Sequence, residues 1–278
     1  MSDPRLTPVN DRVVARWLAA DHPDRAPADP EPPCHVATPV LDLSLSPGGP
    51  RDRQLRYGES FEVLERRAGH AFGIAALAEY VGWVAESGLA PAIDRGPALD
   101  WVGARQTHVY AAPDFKSPER LALPHMAIVA AAEVEGRFTR TELGWVPTAH
   151  LADTPETDPV AVAERYLGTP YLWGANASFG IDCSGLVQVA LHACGRPCPA
   201  DSDLQEAELG APVAPDDPLQ RGDLVFWAGH VAFAVDSQTL IHATVHHMAV
   251  SLEPFDEAVS RIAAQGDGPV TSRKRLSS

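Results

Sequence analysis

Cys183 stands between Asp182 and Ser184 in GIDCSGLVQVALHACG, residues 180–195, just before an apolar, helix-like run. At the first turn of a helix a thiol meets unpaired backbone N–H groups and the positive end of the macrodipole, which favour the nucleophilic thiolate. Taken alone, such a cysteine reads more readily as a small buried hydrophobe. A nucleophilic reading needs a base within hydrogen-bond reach. His230, in WAGHVAFAV, and His242, in TLIHATV, lie on consecutive strand-like runs. A tight turn at residues 236–238 would set them side by side, His230 as the base and His242 as its orienter. His246 and His247 show that stray histidines also occur here, so the joint pattern carries the reading and neither histidine does so alone.

The elements that must position these groups are legible around them. PVAVAERYLG reads as a helix with apolar positions at 160, 162, 163 and 167, opened by Asp158 as N-cap and Pro159 at the first helical position, and ended by Gly168. TPYLWGANASFGIDCSG is a loop of small residues, and SGLVQVALHAC is a second helix stopped by Gly195 and Pro197. Asp182 suits the N-cap of that second helix. DLVFW, HVAFAV, TLIHATV and MAVSL then supply strands, so the C-terminal part is an α+β domain.

Upstream the texture is different. Residues 1–33 hold one amphipathic candidate, NDRVVARWLAA, followed by DHPDRAPADPEPP, whose prolines and charges cannot nucleate a core, and they read as a lead-in and linker. From His35 onward short alternating runs such as HVATPVLDL and QLRYGESFEVLERR predict small antiparallel strands. GWVAESGLA at 82–90 recurs as GWVPTAHLA at 144–152, and RQLRYGESFEVL at 53–64 has a weaker partner in ERLALPHMAIVA at 119–130. A repeat of about 60 residues marks a duplicated unit. Two small all-β barrels are therefore predicted, with Trp83 and Trp145 in their cores.

Bulk properties narrow the function classes. The chain has 278 residues, 45% hydrophobic and 21% charged, with 26 prolines and 21 glycines, which fits a soluble protein of several loop-rich domains. A net charge of -15 argues against nucleic acid and anionic membrane as partners and suits a site that receives an ammonium group. The N-terminus lacks a basic stretch followed by an apolar one, and no run approaches the roughly 20 apolar residues of a spanning helix, so a cytoplasmic protein is expected. Four cysteines are too few for a disulfide framework in a chain this long, and Cys34, Cys194 and Cys198 are expected as free thiols. Cys194 and Cys198 lack the partners of a zinc site, and neither metal nor cofactor is expected.

The two upstream segments resemble bacterial SH3-like domains, in which a GWV strand closes the domain. PYLWGANASFGIDCSG with RGDLVFWAGHVAFAV and LIHA resembles the NlpC-type cell-wall cysteine peptidases, papain-like enzymes with the order Cys, His and a polar third residue. This resemblance spans residues 158–254. Joined to SH3-like domains, it implies the murein dipeptidyl-peptidase branch, which cleaves γ-D-glutamyl bonds to meso-diaminopimelate or lysine. Ala175 departs from the family pattern, which usually has a second glycine after Trp-Gly.

The resemblance implies Cys183 as nucleophile, His230 as general base and later acid, His242 as orienter, and Tyr171 as a hydroxyl that polarises the scissile carbonyl. It implies that Asp182 and Ser184 face the substrate, Asp182 binding the free amine of L-Ala, that Ser202 lies near the same end, and that Glu59 and Tyr80 close the site from the first SH3-like domain. The expected fold is thus multi-domain, two small all-β SH3-like barrels followed by an α+β papain-like cysteine peptidase domain. Residues 1–33 form the lead-in, 34–92 and 100–153 the SH3-like domains, and 156–278 the peptidase domain. The expected chain is a monomer that releases L-Ala-γ-D-Glu from short murein peptides during peptidoglycan recycling. The competing readings are a non-catalytic wall-binding SH3-like protein and a papain-like amidase or acyltransferase acting on another amide.

Overall fold

Alternating apolar and polar residues set much of the described part of residues 1–153 into short strands, nearly all of them paired antiparallel, because each strand can bury one face and wet the other. Contacts divide the chain into this unit and a second, residues 154–278. The computed structural model describes residues 3–92, 100–266 and 268–277.

The first unit opens with β1 (Val13–Ala15) and β2 (Ala26–Ala28), a parallel pair. Seven strands follow: β3 (Cys34–Val36), β4 (Val40–Ser44), β5 (Arg53–Arg56), β6 (Ser60–Arg67), β7 (His70–Ala75), β8 (Tyr80–Ala85) and β9 (Leu89–Pro91). They form one sheet in the order β5-β4-β8-β7-β6-β3-β9. A bulge between Val63 and Glu65 in β6 leaves Val63 and Leu64 both buried. Trp83 is in the core as predicted, packed with Leu64, Phe72, Val81 and Ala15.

Ala15 in that cluster corrects the reading of the N-terminus. Residues 1–33 do not simply lead in: Ala15 is fully buried, and Val13 and Ala28 also pack against the cluster that holds Trp83. NDRVVARWLAA forms a strand and a single 3-10 turn rather than one amphipathic element. Its apolar residues Val13 and Ala15 are spaced two apart, the strand period.

Strands β10 (Asp100–Val102), β11 (Gln106–Tyr110), β12 (Glu119–Pro124), β13 (Ile128–Val129), β14 (Val134–Glu135), β15 (Phe138–Thr141), β16 (Gly144–Pro147) and β17 (Leu151–Ala152) complete this unit. They form two sheets, β13-β10-β17 and β12-β11-β16-β15-β14. The repeated sequence gives a repeated element order. GWVAESGLA becomes β8, a 3-10 turn and β9, and GWVPTAHLA becomes β16, a 3-10 turn and β17. Trp145 departs from its expected place, because it is half-buried and Val146, its neighbour on the strand, enters the core with Val102, Val109, Leu123 and Val129.

Tyr57 also belongs to that core, and the backbone of Ile128 donates to Tyr57 O at 2.9 Å. Gly58 (φ +85°) allows the approach, since a Cβ there would lie 2.2 Å from the Ile128 carbonyl oxygen.

In the second unit α1 (Pro159–Glu164) starts at Asp158, whose carboxylate accepts from Val160 N at 2.9 Å. It is shorter than predicted: the last residues before Gly168 are turns. A two-residue-strand hairpin, β18 (Asn176–Ala177) and β19 (Gly180–Ile181), leads into α2 (Cys183–Ala193), a wholly buried helix. The segment PADSDLQ leads into α3 (Ser202–Glu208). Strands β20 (Ala211–Pro212), β21 (Leu224–Trp227), β22 (His230–Ala234), β23 (Thr239–Thr244), β24 (Ala249–Pro254) and β25 (Ser272–Arg275) form an antiparallel sheet in the order β20-β25-β21-β22-β23-β24. Helix α4 (Phe255–Gln265) lies between β24 and β25. Its Ala258 and Ile262 pack on Val225, Trp227, Ala232, Ala234 and Leu240. No described helix is long and apolar enough to cross a membrane.

Candidate active site

Cys183 is the first residue of α2 and is 7% exposed, so its thiol sits at the positive end of the helix yet reaches the surface. The N-cap is Asp182 as predicted. Its Oδ1 accepts from Gly185 N at 2.6 Å and from the Ser184 hydroxyl at 3.2 Å, and its Oδ2 accepts from Gly174 N at 2.8 Å. One carboxylate therefore caps the nucleophile's helix and ties the Trp-Gly loop to it. Ala175, the departure from the family pattern, fits without strain: its methyl is fully buried, and the positive φ of that loop falls on Gly174.

Strands β21 and β22 form a hairpin in which Trp227 pairs with His230 across Ala228 and Gly229, so His230 follows a two-residue turn. The Gly229 carbonyl oxygen is 4.0 Å from Cys183 Sγ. Tyr171, Cys183, Gly229, His230, Thr244 and Arg261 line one cavity of about 140 Å³. Asp236 caps the turn between β22 and β23 by accepting from Gln238 N. The register Phe233 with Ile241 and Ala234 with Leu240 sets His242 diagonally from His230 on one face. Their rings meet there, His230 Nε2 and His242 Nδ1 being 2.9 Å apart. His242 Nε2 lies 3.0 Å from Glu253 Oε2, and Arg261 makes a two-point contact with that carboxylate at 2.8 and 2.7 Å.

Burial, followed by the charge of His242, pushes the His230 imidazolium down to about 3. Burial also lowers His242, although Glu253 opposes the shift. Hydrogen bonds from Arg261 and His242 overcome the effect of burial on Glu253 and hold its carboxyl well below the usual range. Both histidines are therefore neutral at pH 7, and His230 is free to accept a proton.

This arrangement also makes stability depend on pH. Below pH 6.5 the histidines of the unfolded chain bind protons that the folded pair does not, so stability falls as pH falls. Glu253 contributes to acid lability only lower, below about its ordinary 4.5. The melting temperature, read by calorimetry, is expected to drop between pH 7.5 and 5, and to drop less in His230→Gln; equal losses in the two proteins would contradict a buried neutral pair.

The structure thus gathers Cys183, His230, His242 and Tyr171 into one place, with three of them on the cavity wall. Asp182 and Ser184 are 3% and 2% exposed, and neither lines the cavity. Ser202 begins α3 and does not line it either. Glu59 and Tyr80 lie in the first unit. There Glu59 is buried in an ion pair with Arg56 at 2.5 Å, and the Tyr80 hydroxyl donates to Asp52 Oδ2 at 2.7 Å. Burial raises the Tyr80 phenol, and the Asp52 hydrogen bond adds to the rise.

Sequence reasoning passed over Glu253 and Arg261. A signal existed for Glu253: pairing TLIHAT with AVSLEP in register sets Ser251 opposite His242 and Glu253 diagonal to it.

Residues 168–264 match the NlpC/P60 family, and residues 44–89 match the bacterial dipeptidyl-peptidase SH3 domain. Dipeptidyl-peptidase 6 of Lysinibacillus sphaericus is 36% identical over 100 residues, which are 35% of this chain and 36% of that protein. Gamma-D-glutamyl-L-lysine dipeptidyl-peptidase of Bacillus cereus is 30% identical over 145 residues, 49% of this chain and 41% of that protein. The chain thus spans less than half the length of these two relatives. The crystal structure of an NlpC/P60 family protein from Bacillus cereus shares the fold over 88% of this chain and 99% of its own, with a TM-score of 0.74 at 18% identity.

Proposed function

From an NlpC/P60 domain carried together with a bacterial dipeptidyl-peptidase SH3 domain, we infer that this chain is a cysteine peptidase of murein peptides. It hydrolyses the γ-D-glutamyl bond to meso-diaminopimelate or lysine and releases L-Ala-γ-D-Glu from fragments with a free amine. The observation that carries the reading is the shared cavity of Cys183 and His230, with His230 bonded to His242 behind it. Within this reading residues 100–153 are a second SH3-like barrel, supported by the repeated order of strand, 3-10 turn and strand. A cytoplasmic role in recycling wall fragments belongs to the same proposal.

In this mechanism His230 accepts the Cys183 proton through the imidazole nitrogen not bonded to His242, and the thiolate attacks the γ-glutamyl carbonyl carbon. The oxyanion takes hydrogen bonds from the Cys183 backbone N–H and the Tyr171 hydroxyl, donors that contribute about 3 to 4 kcal/mol each in such sites. His230 then protonates the departing amine, leaving a thioester. Water gives its proton to His230 and attacks the thioester, which frees the new carboxyl group and regenerates the thiol. The L-Ala ammonium is proposed to bind toward Asp182 and Ser184, which flank Cys183 in the chain although they do not line its cavity, so an acylated N-terminus would leave a carboxylate without its cationic partner.

The test is turnover of L-Ala-γ-D-Glu-meso-diaminopimelate, followed by mass spectrometry. The native protein is expected to release the dipeptide and to act far less on the N-acetylated tripeptide. Cys183→Ser is expected to lose at least about 10³-fold in rate while keeping its melting curve. Unchanged turnover in that variant, or thiol-dependent hydrolysis confined to other amides, would overturn the reading.

A further inference from the structure

Behind the two histidines lies an ion pair that the mechanism above does not use. Glu253 is the next-to-last residue of β24 and Arg261 belongs to the second turn of α4. Glu253 is 6% exposed, and a buried carboxylate is costly unless it is paired and hydrogen-bonded. Here Arg261 Nε donates to Oε1 at 2.8 Å and Nη2 to Oε2 at 2.7 Å, while Nη1 donates to Gln265 at 2.9 Å. Oε2 also faces His242 Nε2, at 3.0 Å. Packing an Arg–Glu pair against a 1% exposed histidine is an expensive way to fill a core.

We propose that Glu253, held by Arg261, is a positioning residue that fixes the tautomers of both histidines and so presents Nδ1 of His230 to Cys183. This rests on Cys183 and His230 acting as proposed above. An ionised carboxylate can only accept, so the hydrogen between Glu253 and His242 lies on His242 Nε2. Neutral His242 then has its lone pair on Nδ1, and the 2.9 Å contact must be donated by His230 Nε2–H. That leaves Nδ1 of His230 as the basic nitrogen. One charge, set 11 residues beyond His242 in the chain, orders three proton positions in series. When His230 takes the thiol proton, the positive charge it gains faces His242 Nδ1, whose ring is already polarised toward Glu253.

Two measurements test this. The first needs no turnover: long-range ¹H–¹⁵N correlation spectra of the Cys183→Ala protein report which ring nitrogen carries hydrogen. Both histidines are expected as Nε2–H tautomers, and replacing the pair with apolar residues, Glu253→Leu with Arg261→Leu, is expected to abolish that preference. An Nδ1–H form of either histidine in the starting protein, or a preference unchanged by the double substitution, would overturn the proposal whether or not murein peptides are substrates. The second is kinetic, on the active chain. Glu253→Gln is expected to lower kcat by roughly 10- to 100-fold, the scale at which orienting partners act, with KM within about twofold. A loss confined to KM or to melting temperature would mean that the pair serves only binding or stability.

Discussion

Alanine at position 230 is expected to lower kcat/KM on the murein tripeptide by about 10³-fold, within the range for loss of a positioned general base. The imidazole does two jobs in turn: it takes the Cys183 proton, and it returns a proton to the departing amine. Without it the thiol would have to lose its proton to solvent before attack, and the amine would leave unprotonated. Two further readings separate this chemistry from damage to the fold. Alkylation of Cys183 by iodoacetamide at pH 7 is expected to slow in parallel, since it needs the same deprotonation. Added imidazole is expected to restore part of the rate, because the truncation enlarges the cavity that Cys183 lines. A variant within tenfold of the native rate would show that another group serves as the base.

The second large effect is expected from Gly185→Ala. A Cβ on Gly185 would lie 2.3 Å from the Ala175 carbonyl oxygen and 3.0 Å from Asp182 Oδ1. Neither can retreat cheaply: Ala175 is fully buried and its carbonyl accepts from Asp182 N at 3.0 Å, while Asp182 caps α2 through Gly185 N itself. Relief requires the start of α2 to move away from the Trp-Gly loop, which costs the cap as well as the overpacking, about 2 to 4 kcal/mol together. Cys183, two residues earlier, moves with it, and a displacement near 1 Å in a catalytic group costs on the order of 10²-fold in rate. Urea titration and the tripeptide assay read both effects. A variant with native midpoint and native rate would mean that the helix start can yield without disturbing the thiol.

The demand for glycine at position 185 was not legible in the sequence, because it comes from the close approach of the Ala175 carbonyl. Asp182 was legible as the N-cap, because its capping bond to Gly185 N spans only three residues. Strand β22 and the His230–His242 pairing were legible for a similar reason. The period of two and a short turn at Asp236 fix the register, and the register puts both rings on one face. Trp145 shows where such reasoning stops, because repetition set the strand while the neighbouring surfaces decided that Val146 is the core residue. The N-terminal segment shows the same limit. Its prolines and charges argued against a core, and only packing against Leu64, Phe72 and Trp83 gives Ala15 a buried place.

What the amino-acid sequence determined by itself is the set of features that depend on neighbours in the chain: the capped helix that begins at Cys183, the strand hairpins that carry the histidines, and the duplicated β segments. Tertiary structure alone decided that Glu253 and Arg261 stand behind His242, and that a cavity joins the thiol to His230. The physical reason is that local hydrogen bonds and side-chain periodicity act over a few residues. A buried ion pair exists only after a strand register and the docking of α4 have brought its partners within 3 Å.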